Sequence, residues 1–144
     1  MSNPNIQQRF VAAVFAGDSA TLTELCHADF VLEQGGAMPY AGTYRGAEGF
    51  LQFLGIFGET LDIEKLEPVR SYLCDDPDWL VSEFDLVATV KATGQRYETT
   101  LLERWQFSAG KVISVKPHYF EPPGPGRQTE RRFETATLPL RERI

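Results

Sequence analysis

One carboxyl group, Glu103, sits in the run Tyr97-Glu98-Thr99-Thr100-Leu101-Leu102-Glu103-Arg104-Trp105-Gln106-Phe107. In a strand, alternate side chains share a face, which groups Tyr97, Thr99, Leu101, Glu103, Trp105 and Phe107. That face is aromatic and aliphatic except for one hydroxyl and one carboxyl. An ionised carboxylate among such neighbours is costly unless it is paired or takes up a proton. As a neutral acid it could donate a hydrogen bond to a ligand carbonyl or oxyanion. As a structural group it could pair with an arginine such as Arg45 and close a cavity. Both readings put an acid against an apolar pocket.

Few other residues offer chemistry. Gln34 ends an apolar stretch where a general base could stand, but an amide cannot take a proton at neutral pH and can only orient a ligand. Neighbouring Glu33 falls on the opposite strand face, where solvation is the expected state. Tyr40, Tyr44 and Arg45 precede a helical pattern and could form a polar lip, with Arg45 suited to an anionic group; tyrosines packed on the surface are the alternative. His118 falls opposite the apolar face, in a surface or subunit-contact position, and His27 sits where it would complement a helix C-terminus. Phe10, Phe53, Phe57, Leu86, Val90, Leu101, Trp105 and Tyr119 read as core or as cavity wall. The chain holds 10 Phe in 144 residues, and large rings meeting from several elements leave gaps that ligands fill.

Composition narrows the classes. A chain of 144 residues with 42% hydrophobic and 24% charged residues reads as one globular domain. Up to residue 121 there are nine Lys/Arg against 17 Asp/Glu; beyond it, five Arg against three Glu. An acidic body with no basic stripe argues against a nucleic-acid partner. No stretch reaches the ~18 apolar residues of a membrane span, and no signal-peptide pattern opens the chain. Cys26 and Cys74 lack metal-site spacing, so two free thiols in a reducing cytoplasm are expected, with neither metal nor cofactor.

The elements that must position Glu103 follow from periodicity. Residues 5–16 predict an amphipathic helix stopped by Gly17, then a short helix capped by Asp18 or Ser19. Residues 30–34 predict a strand, followed by a loop to Gly46. Phe50, Phe53, Leu54 and Phe57 mark a third helix ended by Gly58. Strands follow: 61–74 bent at Pro68, the alternating run from Leu80 to Val90, the Glu103 strand, and 111–120, with turns at 75–78, 93–95 and 108–110. This order predicts an α+β domain over residues 1–121, with helices packed on one face of a curved antiparallel sheet. Residues 122–144, rich in Pro, Gly and Arg, read as a C-terminal arm.

Gln8-Arg9-Phe10-Val11-Ala12-Ala13, Ala16-Gly17-Asp18, Ala28-Asp29, Tyr44-Arg45-Gly46, Glu103-Arg104-Trp105-Gln106-Phe107 and Gly110-Lys111-Val112 together resemble the nuclear-transport-factor-2-like superfamily. The likeness is strongest to its ketosteroid isomerase and SnoaL-like polyketide cyclase branches. It implies a cone-shaped sheet closed by three N-terminal helices, the cystatin-like or ketosteroid isomerase-like barrel. It also implies a homodimer through the outer sheet face, where Thr100, Leu102, Arg104, Lys116 and His118 would lie. Ketosteroid isomerase uses an aspartate base and an oxyanion hole of a tyrosine and a neutral carboxylic acid. By the resemblance these roles fall on Gln34, Phe10 and Glu103, and only the acid survives, so ketosteroid isomerisation itself is not expected. The expected ligand is a small hydrophobic carbonyl compound, steroid-like or polyketide-like. Glu103 would be donor or general acid, Gln34 and Tyr44 would orient the ligand, and the apolar residues would clamp it. The competing expectation is a non-catalytic dimeric binding or scaffold module.

Overall fold

The computed structural model describes residues 2–123. Helix α1 (Asn3–Ala16) starts where the Ser2 hydroxyl accepts from the Asn5 N–H and stops at Gly17, whose φ of 66° suits a residue without Cβ. Asp18 caps α2 (Ser19–Leu25) by accepting from the Thr21 N–H at 3.1 Å. Strand β1 (Cys26–Gln34) and strand β2 (Gly42–Arg45) pair antiparallel before α3 (Gly46–Thr60) begins. Strands β3 (Leu61–Leu73), β4 (Trp79–Val90), β5 (Gln95–Ser108) and β6 (Lys111–Tyr119) complete the chain.

The six strands lie in the order β2-β1-β6-β5-β4-β3. The sheet is mixed rather than wholly antiparallel, because β1 runs parallel to β6. It is also unclosed, with β2 and β3 as its edges. Both edge strands nevertheless contact α3, so the sheet curls around that helix. This is the α+β cone the sequence implies, with the third helix placed after two strands.

Several boundaries differ from the sequence reading, each for a local reason. The loop expected up to Gly46 contains β2, whose four residues are too few to show alternation. Strand β1 begins at Cys26, four residues before its apolar run, across a register irregularity between Cys26 and Val31. Gly58 does not end α3. The Lys91 ammonium donates to the Gly58 carbonyl at 2.6 Å and the Lys91 N–H to the Thr60 carbonyl, which satisfies the last turn from outside the helix. The bend at Pro68 coincides with a register shift between Pro68 and Arg70 on edge strand β3, where a missing N–H costs no ladder bond. The arm beyond residue 123 lies outside the described residues.

Aromatic rings fill much of the space between helices and sheet. Phe10 on α1, 2% exposed, packs against Phe50 at 4.9 Å, Trp105 at 5.3 Å and Phe30 at 6.3 Å between ring centroids. One side chain thus ties α1 to α3, β5 and β1. Cys26 is buried and its thiol is pushed up to about 11 by desolvation, which keeps it an unreactive packing group. No described helix is long and apolar enough to cross a membrane. Phe30 is 1% exposed and meets both Phe10 and Phe50. Phe30→Ala should destabilise the domain by about 3–5 kcal/mol, read as a lower denaturant midpoint at unchanged m-value.

Candidate functional site

The concave face of the sheet and the helices enclose a cavity of about 100 Å³ with a mouth to solvent. Strand parity on β5 holds as expected: Leu101, Glu103 and Trp105 line the cavity, while Leu102 and Arg104 are exposed. From α1 comes Phe10, from α3 Phe53 and Phe57, from β4 Leu86, and from β1 and β6 Gln34 and Tyr119.

Two residues expected at the site lie elsewhere. Val90 faces inward at the far end of β4, paired with Leu61 and Gln95, beyond the cavity. Period-two alternation gives the face but not the position along the strand. Tyr44 is not a lining residue either. Its hydroxyl donates to the Tyr40 carbonyl at 2.9 Å and its ring lies 5.3 Å from that of Phe53, so it braces the wall from behind. Tyr40 is no surface lip: it is 1% exposed, and its hydroxyl donates to the Tyr119 hydroxyl at 3.0 Å. The sequence reading also passed over Phe50, Phe84 and Leu32 on the wall, and Phe15, which lines the mouth while 56% exposed. Helical spacing from Phe53 and Phe57 could have found Phe50, and strand parity from Leu86 could have found Phe84. Exposed Phe15 carries no such signal.

Among the described residues, Glu103 is the only carboxyl on the cavity wall. The ion pairs among the described residues include neither it nor Arg45, which is exposed, so a closing Glu103–Arg45 pair does not form. Loss of water pushes its carboxyl up to about 7, partly offset by the nearby Trp105 indole. The indole is close enough to favour the charged form, yet Trp105 Nε1 makes no hydrogen bond of normal geometry. Gln34 Oε1, 7% exposed as a residue, is likewise buried without a partner. Burial also holds the Tyr119 phenol well above its ordinary range, with Glu103 and Gln34 among its neighbours. Tyr119 therefore stays protonated at any physiological pH.

The wall thus carries an acid, an indole N–H and a phenol as donors, beside one amide oxygen as acceptor. Leaving a buried polar atom unpaired costs about 1–3 kcal/mol, a cost that Trp105 and Gln34 carry beside the cavity. The wall has no histidine and no second carboxyl among the described residues. Among the described residues no three His, Cys, Asp or Glu converge as metal ligands would. Glu103 is, among the described lining residues, the group whose raised pKa lets it exchange a proton near neutral pH.

Because the Glu103 pKa is higher folded than unfolded, the folded state binds the extra proton between pH of about 4.5 and about 7. The Glu103 contribution is therefore favourable at low pH and is lost as pH rises through that window. Glu103→Gln should remove this slope and leave the variant more stable than the parent at pH 8 by about 3 kcal/mol. Paired denaturant titrations across the window check it, and an unchanged slope would refute the raised pKa.

Comparison with known proteins agrees with this architecture. A search of curated proteins finds no match. Among solved structures, an NTF2-like protein from Burkholderia thailandensis superposes with a TM-score of 0.74 at 21% identity, over 83% of this chain and 91% of the other. A candidate polyketide cyclase from Sinorhizobium meliloti gives 0.65 at 17% identity, over 80% and 94%. TerC co-crystallised with polyporic acid gives 0.68 at 17%, over 81% and 90%. At these identities the likeness is one of fold. Residues 7–115 match the SnoaL-like domain family, and the chain is a member of that family.

Proposed function

We propose that the protein binds a small hydrophobic carbonyl compound in the cavity, with Glu103 as neutral hydrogen-bond donor or general acid toward the carbonyl oxygen. The observation that carries this reading is one desolvated acid, without an ion-pair partner among the described residues, beside the Trp105 indole in an aromatic enclosure. Phenolic Tyr119 supplies a further donor from β6, in place of the tyrosine that Phe10 lacks. Neighbours of the same fold include a candidate polyketide cyclase and a protein crystallised with polyporic acid, which fits a carbonyl-bearing ligand.

The size of the cavity sharpens the reading. Engineered cavities of ~150 Å³ accept benzene, and this one measures about 100 Å³ with an open mouth. It takes one ring or the acyl end of a longer molecule; a larger ligand must project outward. Among the described residues the wall carries no base besides Glu103, which favours proton donation to a bound carbonyl over isomerisation by a separate acid and base.

Para-methoxyacetophenone, which has no group that titrates, is a suitable probe for calorimetry. Its affinity should fall as pH rises through about 7, by up to tenfold per unit, because the ionised carboxylate no longer donates and repels the carbonyl dipole. Glu103→Gln should abolish that dependence, since an amide does not titrate. A flat profile in the parent would discard the donor role.

We further propose a homodimer through the outer sheet face. Leu102 is 39% exposed there, opposite His118, and Arg104 stands 5.3 Å over the Trp79 ring. Leu102→Glu should convert a dimer to monomer in sedimentation equilibrium, and a monomeric parent would refute it. Two unpaired thiols, Cys26 and Cys74, support a reducing cytoplasmic setting.

A further inference from the structure

A second concavity of about 360 Å³ runs between α1 and the strands β3 and β4. It shares Val11, Phe15 and Phe84 with the cavity wall, so the two spaces lie against the same side chains. Its character differs sharply from the cavity's. Gln7, 7% exposed, lines it, and no hydrogen bond to its side-chain amide is formed among the described residues. Ser82, 3% exposed, and Ser71 face it with their hydroxyl oxygens 3.4 Å apart. Arg70 and Glu83 close the outer end as an ion pair with Nε to Oε1 at 3.6 Å, and the Tyr72 hydroxyl donates to Glu83.

We propose that this groove is an outer subsite for a neutral, hydroxyl-bearing segment of the ligand whose ring occupies the cavity; it rests on the cavity reading above. An amide and two hydroxyls both donate and accept, which matches hydroxyl groups. The ion pair leaves the outer end without net charge, so a charged segment gains no net attraction there while a neutral one loses nothing. The larger volume lies outside, and Phe15 stands between the two spaces as the wall a bipartite ligand must pass.

The test compares para-hydroxyacetophenone, its O-glucoside and its O-phosphate by calorimetry on the full chain. The glucoside should bind roughly tenfold tighter than the parent ketone, and the phosphate should gain nothing. Gln7→Leu should abolish the glucoside's advantage. It should fold, because the amide it removes has no partner to lose; if it does not, Ser71→Ala on the exposed edge strand should reduce the same ratio. A ketone that binds while its glucoside gains nothing, or a phosphate that outperforms the glucoside, overturns the subsite and leaves the cavity reading standing. A glucoside that binds in a Gln7-dependent way while the ketone does not supports the subsite and overturns the cavity reading. Binding of neither overturns both.

Discussion

The packing of rigid rings against a sheet that curls around one helix sets every other property of this molecule. Both sheet edges reach α3, so the concave face must be filled by whatever α1 and α3 project into it. They project phenylalanines. Phe10 alone touches rings on α3, β1 and β5, and Phe53 meets Phe50, Phe57, Tyr40 and Tyr44. Edge-on and tilted ring contacts hold the elements at fixed separations. Flat rings on a tapering surface cannot fill it completely, and the residue of that mismatch is the cavity.

Within it, the energetics of Glu103 run against stability. Desolvation of a carboxyl, an indole N–H without a partner and an amide oxygen without a partner are all unfavourable for the folded chain. A leucine, a phenylalanine and a second aliphatic residue would relieve all three. The strong aromatic packing around them is what allows the fold to carry these groups, and their convergence on one small volume is the physical case for a ligand. Tyr40 shows the opposite treatment, since its buried hydroxyl donates to the Tyr119 hydroxyl at 3.0 Å.

Much of the fold was legible because its signals are local. The Gly17 stop and the Asp18 cap act within a turn of chain, and the alternation of β4 and β5 repeats over a dozen residues or more. Glu103 could be placed on an apolar face for the same reason. Tyr40 could not, because its burial comes from Phe53, Phe57 and Tyr119, all distant in sequence. Val90 and Leu86 share a parity and an apolar character, and only the closure of the cone separates cavity wall from plain core. The burial of the Gln7 amide likewise depends on β3 and β4 lying beside α1, which no local period encodes.

The amino-acid order by itself determined the helix limits that are capped locally, the inward face of each long strand, and the presence of one acid among rings. Those follow from periods of 3.6 and 2 residues and from the chemistry of the side chains. Tertiary structure alone decided the parallel pairing of β1 with β6 that helps bring Gln34 near Tyr119, the absence of an Arg45 partner for Glu103, and the groove that shares Val11, Phe15 and Phe84 with the cavity. Each of these depends on which distant segments lie side by side, and no local period encodes that.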